Sequence, residues 1–189
     1  MAGARTLSLR AASIAVVLSV AVALAGCTAS GSGASTPKPT AKSSVSSALR
    51  PLVPTYPKKL TNATAKKGTV AAADAIQALI ASSDIVTVDN QSKLVPATKK
   101  DGAYYGVARG VATVSGFDPI AQAEAMEKLL VAAGWTERDA KATTARYSAV
   151  LTVDTAAGVS VLGLQALAKA TNTPATVLIS IESPDYDGD

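Results

Sequence analysis

The chain has 189 residues, a formal net charge of +4 and 48% hydrophobic residues. It contains no histidine and one cysteine, so a Ser-His-Asp triad, a histidine-ligated metal and an intramolecular disulfide are excluded. Nucleotide-binding glycine motifs and the G-x-S-x-G nucleophile motif are absent as well. We therefore predict a protein that is not an enzyme and that uses no metal or cofactor.

Residues 1–26 have the pattern of an export signal. Arg5 and Arg10 lie in a start without acidic residues, and residues 11–25 form an almost wholly apolar run. A membrane-spanning helix needs about 20 apolar residues, and this run is shorter. The segment therefore predicts export rather than a permanent membrane span.

The run ends in the sequence LAGC, which places Gly26 directly before Cys27. This ending resembles the lipobox of bacterial lipoproteins. The resemblance implies that Cys27 receives a diacylglyceryl group, that cleavage falls between Gly26 and Cys27, and that the mature protein is anchored to the outer face of the cell membrane. The small Ala25 and Gly26 suit a protease that takes an extended chain at the membrane surface. An ordinary secretory signal with a chance cysteine is the alternative.

Residues 27–67 predict the lipidated cysteine followed by a disordered basic tether. The stretch is rich in Ser, Thr, Ala, Pro and Lys and has few large apolar residues to bury. It carries seven cationic residues and no acid, whereas residues 68–189 carry nine cations and fourteen acids. An anionic leaflet or wall polymer would attract such a tether, although the lysines would also simply keep a linker soluble. Because the positive charge belongs to an exported tether, we predict no nucleic-acid partner.

Residues 68–189 predict a single domain. Apolar residues at helical spacing indicate a first helix from about Thr69 to Ser82, and a short β segment follows at Ile85–Val88. The stretch DGAYYGVARGVATVSG then predicts a long strand, with Gly106 and Gly110 as bends or as places where a ligand or backbone approaches closely.

The clearest helix is DPIAQAEAMEKLLVAAGW. Asp118 is a favourable N-cap, Pro119 occupies the first helical position and Gly134 suits the left-handed C-terminal cap. Trp135 is predicted to fold back as an apolar plug over the helix end, with stacking on a ligand as the alternative.

Three strands follow, at residues 143–154, 159–166 and 175–182, although residues 159–170 also have helical character. The element order predicts an α+β fold with helices packed on one face of an antiparallel β-sheet meander. The helix-Gly-Trp signature before hairpin strands is similar to small lipoproteins of actinobacteria whose functions are unassigned. That similarity implies no activity and no site residues.

Two acidic groupings are candidate sites. The alternating aspartates of residues 185–189 are similar to the start of a calcium loop, but the later carboxylate is missing, which favours a solvated acidic tail. Glu124 and Glu127 lie one helical turn apart, and with Glu137 and Asp139 they form a carboxylate patch or, less favoured, a glycosidase-type pair. A solvated helix face is the default interpretation.

Two functions remain from different classes. The first is a noncatalytic envelope module that binds another envelope protein or a wall polymer. The second is a carrier for a lipid or small apolar ligand, which requires a cavity lined by residues such as Val107, Leu130, Leu151 and Ile179. A carboxylate-dependent hydrolase ranks third.

Overall fold

The structure, a computed structural model, describes residues 46–97 and 102–187. The predicted signal peptide, the cleavage site at Gly26 and the lipidated Cys27 lie outside these residues. The described part is an α+β domain with two α-helices and a seven-stranded antiparallel sheet. This confirms the predicted fold class.

The helices and strands follow one another in a simple order. A 3-10 turn at Arg50–Leu52 leads to helix α1 (Asn62–Gln77), a second 3-10 turn (Ser82–Asp84) and the hairpin of β1 (Ile85–Pro96) and β2 (Gly102–Thr113). Helix α2 crosses next, and four longer strands and a two-residue strand complete the chain: α2 (Pro119–Ala133), β3 (Thr136–Ala142), β4 (Arg146–Thr155), β5 (Gly158–Leu167), β6 (Thr176–Glu182) and β7 (Tyr186–Asp187).

The sheet joins the hairpin to the later meander through β6. The strand order is β1-β2-β6-β5-β4-β3, and β7 pairs with the beginning of β2. Helix α1 packs over β2 and β6, and α2 packs over β4 and β5. Side chains alternate along the inner strands, so one face of the sheet supplies the core beneath the helices. No helix of the described residues covers the other face.

The caps predicted for α2 are confirmed. The Asp118 side chain accepts hydrogen bonds from the backbone N–H groups of Ile120 and Ala121, at 3.0 and 3.1 Å. Gly134 ends the helix with φ 113°, a backbone conformation that favours glycine. Trp135 is 2% exposed, and its Nε1–H donates to the carbonyl oxygen of Leu52 at 3.0 Å. The tryptophan therefore does plug the helix end, and it also holds the N-terminal segment in place.

The folded domain begins well before Gly68, where the sequence analysis places its boundary. Leu52, Tyr56 and Leu60 belong to the hydrophobic core, with exposed fractions of 4–6%. Helix α1 starts at Asn62 and ends at Gln77, rather than running from Thr69 to Ser82. The low apolar content of residues 46–67 predicted a disordered tether. That prediction was wrong for this segment because its few large apolar side chains pack against the domain.

The edges of the sheet also differ from the prediction. β1 extends to Pro96 rather than Val88, and β3 and β7 were missed. All seven residues of β3 are exposed, so the strand has no apolar alternation that sequence reasoning could detect. Pairing of β2 with β6 passes through Gly106 and Gly110 without a register shift, so neither glycine marks a bulge. Residues 158–167 form a strand, which settles the ambiguity in favour of β5.

Candidate functional site

The uncovered side of the sheet, which we call the open face, has small residues at its centre. Ala108 of β2 lies opposite Ser180 of β6, Ser180 opposite Gly163 of β5, and Gly163 opposite Val150 of β4. A Cβ atom added at Gly163 would lie 2.5 Å from Ser180 Oγ. These residues leave the middle of the open face shallow and nearly free of charge.

Apolar side chains surround this centre and are partly exposed to solvent. They come from five strands and are Val95, Tyr104, Val150, Val161 and Leu178. None of the five belongs to the apolar residues that form the helix-covered core or pack against it. A continuous surface of this composition is typical of protein contact sites.

Glu182 is an ionisable group of the open face and lies two residues from Ser180 on β6. Its register neighbours are Gly106 on β2 and Val161 on β5, and partial burial, followed by the charge of Asp185, raises its pKa. Burial, then Glu182 and Asp185, also raises the pKa of Tyr104. Among the described residues, no lysine or arginine forms an ion pair with Glu182. The open face therefore contains a half-buried carboxylate without a cationic partner.

The predicted carboxylate patch is brought together on the other side of the domain. Tyr147 donates its hydroxyl hydrogen bond to Glu127, and its pKa is raised by burial first and then by Glu127, Glu137 and Glu124. The pKa of Glu137 is raised chiefly by a hydrogen bond with Glu127 and by the charge of Glu127. Desolvation and the charge of Asp139 raise it further. Helix α2 and edge strand β3 thus bring these acids close to Tyr147 of strand β4.

This acidic cluster has the chemistry of a proton-sharing carboxylate pair at the surface. Glu137 is exposed, and Asp139 already accepts from Lys141 Nζ at 3.0 Å. Within residues 46–97 and 102–187, no group of three or more acidic side chains is arranged to hold a metal ion. We therefore treat the cluster as an electrostatic feature of the fold.

A groove of about 630 Å³ lies between the N-terminal segment and α1. Arg50 and Lys67 stand in its walls, and Val53, Pro54 and Ala72 supply apolar surface. The groove depends on close packing at Gly68, where an added Cβ would lie 2.5 Å from a Tyr56 ring carbon and 2.8 Å from the Thr55 carbonyl oxygen.

Buried polar side chains tie α1 to the sheet. Arg109 is 9% exposed on the helix-covered face of β2 and bonds to both Asp74 of α1 and Asn90 of β1. The hydroxyls of Tyr56 and Thr69 lie 2.8 Å apart in the core. The sequence analysis did not identify Arg109 as a buried residue. The signal for it was a charged residue at a position of β2 where the alternation predicts an inward-facing apolar side chain.

The four residues named for a carrier cavity pack together in the core. Val107, Leu130, Leu151 and Ile179 are at most 4% exposed, and all belong to the single core cluster. In the described part of the acidic tail, Asp185 and Asp187 are exposed, as a solvated tail predicts, but the segment is held to the sheet. Tyr186 is buried, and β7 pairs Asp187 with Gly102.

Comparisons with known proteins leave the chain without an assigned relative. No protein-family model, no curated protein and no solved structure matches it. In the described part of the chain, no helix is both long and apolar enough to cross a membrane.

Proposed function

We propose that this chain is a lipid-anchored protein of the cell envelope, held through Cys27 on the extracytoplasmic face of the membrane. The support is the LAGC ending of an apolar run that follows two arginines. Two acyl chains on the cysteine would give firm anchoring, whereas one gives marginal binding. The intact mass of the protein isolated from its host should match a chain that begins at Cys27 and carries a diacylglyceryl group. Cys27→Ala should abolish both the cleavage before residue 27 and the lipid modification. An unmodified chain that is cut elsewhere would overturn the anchor.

The proposed role of the folded domain is noncatalytic binding of another envelope protein. The observation that carries this proposal is the open face, a surface of small and apolar residues that includes the carboxylate of Glu182. Its composition fits a partner surface that is apolar and presents one lysine or arginine toward Glu182, because burial of that carboxylate calls for a compensating charge.

The carrier function receives less support. A carrier needs internal space, and the four side chains that were expected to line it are packed in the core. A wall polymer is a weaker candidate for the open face, because a hydrated polar chain gains little from contact with valine, leucine and tyrosine side chains.

Site-specific photocrosslinking in the host tests the interaction module. A photoreactive residue at Ala108, Val161 or Leu178 should capture one discrete protein, because these positions lie on the open face. The matched controls are Leu129 and Val131, which are 40% and 46% exposed on α2. Capture from α2 alone, or none above an unrelated anchored protein, would overturn the proposal.

The partner's charge can be tested in the same experiment. Glu182→Gln keeps the shape of the side chain but removes its charge, so we expect at least a several-fold loss of crosslinked product. Thermal melting of the purified variant separates this effect from loss of folding. Unchanged capture by a folded Glu182→Gln protein would show that the partner offers no cation there.

A further inference from the structure

Five cationic side chains gather at the N-terminal end of the described domain, and we call them the basic face: Arg50, Lys58, Lys59, Lys66 and Lys67. All five are exposed, and no acidic residue occurs between Ser46 and Ala73. The ion pairs in the described part of the chain are Arg109 with Asp74 and Lys141 with Asp139, so none of the five is neutralised in that way.

Two residues of the basic face line an apolar groove. Arg50 comes from the first 3-10 turn and Lys67 from α1, and both line the groove of about 630 Å³. Val53 and Pro54 contribute apolar surface between them. Cations beside apolar surface match the boundary of a bilayer, where anionic headgroups lie above acyl chains.

Two acidic residues lie near part of this face. Asp185 and Asp187 line a smaller groove of about 200 Å³ together with Lys58 and Lys59. Arg50, Lys66 and Lys67 are not among the residues that line this smaller groove. Residues 46–67 carry five cations and no acid, whereas residues 68–189 carry nine cations and fourteen acids. An anionic surface would therefore orient it with the basic face inward.

The chain length also keeps the basic face within reach of the membrane. If Cys27 is anchored, the residues between it and Ser46 can span at most about 65 Å when fully extended. The basic face is the part of the described domain that follows this connection directly in sequence.

We propose that the basic face and its groove dock the folded domain onto an anionic phospholipid bilayer. This inference rests on the proposed anchoring at Cys27, since the anchor supplies the proximity. It extends that function by assigning an orientation, with the N-terminal segment and the start of α1 against the leaflet.

Vesicle binding without the lipid anchor tests this proposal directly. The protein is the mature chain, residues 27–189, with Cys27→Ser so that no acyl group contributes. The core residues all lie between Leu52 and Tyr186, so this chain retains the whole core. We expect it to co-sediment with vesicles of phosphatidylglycerol and phosphatidylcholine at low salt, and to bind pure phosphatidylcholine at least tenfold more weakly.

The decisive comparison uses two variants of equal net charge. One replaces Lys58, Lys59, Lys66 and Lys67 by glutamine. The matched control replaces four exposed lysines elsewhere by glutamine: Lys93, Lys128, Lys141 and Lys169. Each lysine that reaches an anionic surface contributes roughly fivefold in binding, so we expect more than tenfold loss in the first variant and little loss in the control.

A further variant examines the groove itself. Ala71→Glu places an acid at an exposed position in the groove wall, and we expect it to weaken vesicle binding severalfold without lowering the melting temperature.

Equal losses in the two four-lysine variants, or equal binding to neutral and anionic vesicles, would overturn the proposal. So would retention of binding to soluble polyphosphate without any binding to vesicles. Lipidation of Cys27 is measured separately, by intact mass. If the host protein carries no lipid but the chain still binds anionic vesicles, the proposed anchor is wrong and the proposed docking surface is not.

Discussion

Among single residues, Glu137 has a charge that the fold disfavours chiefly through one neighbour, Glu127. Its pKa is raised above the ordinary 4.5 chiefly by the hydrogen bond with Glu127 and by the charge of that group. The folded protein therefore holds this proton more tightly than the unfolded chain. Stability is lost as pH rises from the ordinary value through the raised one.

Glu137→Gln removes that loss. We expect the variant to lose less stability than the parent as the pH rises above 4.5, and to be at least as stable at pH 7. Thermal melting across this range provides the measurement, with Asp154→Asn as the control because Asp154 is an exposed acid on β4. Equal pH dependence of the parent and Glu137→Gln would contradict the coupling.

The residue scale also separates what local chemistry encodes from what only the fold decides. Asp118, Gly134 and Trp135 could be assigned from the sequence because capping and helix-end packing depend on residues a few positions apart. Glu127 and Glu137 come from different elements, so their contact follows from the placement of β3 beside α2. Arg109 depends on Asp74 and Asn90, far away in the chain, and no short pattern contains that information.

At the scale of elements, the packing of the N-terminal segment on α1 depends on Gly68. Glycine in a helix usually costs about 1 kcal/mol relative to alanine, so Gly68→Ala would stabilise an isolated helix. Here the new Cβ would lie 2.5 Å from the Tyr56 ring and 2.8 Å from the Thr55 carbonyl oxygen. We expect the clash to outweigh the gain, with a net destabilisation of about 1–3 kcal/mol.

Urea unfolding followed by tryptophan fluorescence measures this effect. Trp135 is the single tryptophan, and its bond to the Leu52 carbonyl makes it sensitive to the packing of the same segment. Ala71→Gly, at an exposed position of α1, is the control and should cost about 1 kcal/mol through helix propensity alone. A stabilised Gly68→Ala protein would mean that residues 50–57 do not lie against α1.

Elements with a strong internal period were predictable, and the edge strands were not. The glycine-bounded β2, helix α2 and strand β4 carry clear apolar patterns because each has one buried face. β3 has seven exposed residues and β1 is largely exposed, so their sequences show no such pattern. Both strands are specified by pairing with a neighbour, which single-strand periodicity cannot reveal.

For the whole molecule, the folded domain begins before residue 68. The segment at residues 46–60 has low apolar content, and composition alone indicated a tether. Three of its few large side chains, Leu52, Tyr56 and Leu60, are nevertheless core residues. The capping box of α1 was a local signal for the true start, since the Thr61 and Thr64 side chains each bond to the other's backbone N–H.

Two truncations test this boundary. A chain that starts at Gly68 loses those three core residues, the capping box and the beginning of α1. At about 1.5–3 kcal/mol for each large apolar side chain, the loss is comparable to the 5–15 kcal/mol total stability of an ordinary domain. We expect residues 68–189 to lack a cooperative thermal transition and a buried tryptophan signal, because Trp135 also loses its partner at Leu52. Residues 46–189 should melt within a few degrees of residues 27–189 carrying Cys27→Ser. Cooperative melting of both truncations at the same temperature would show that residues 46–67 contribute nothing to the core.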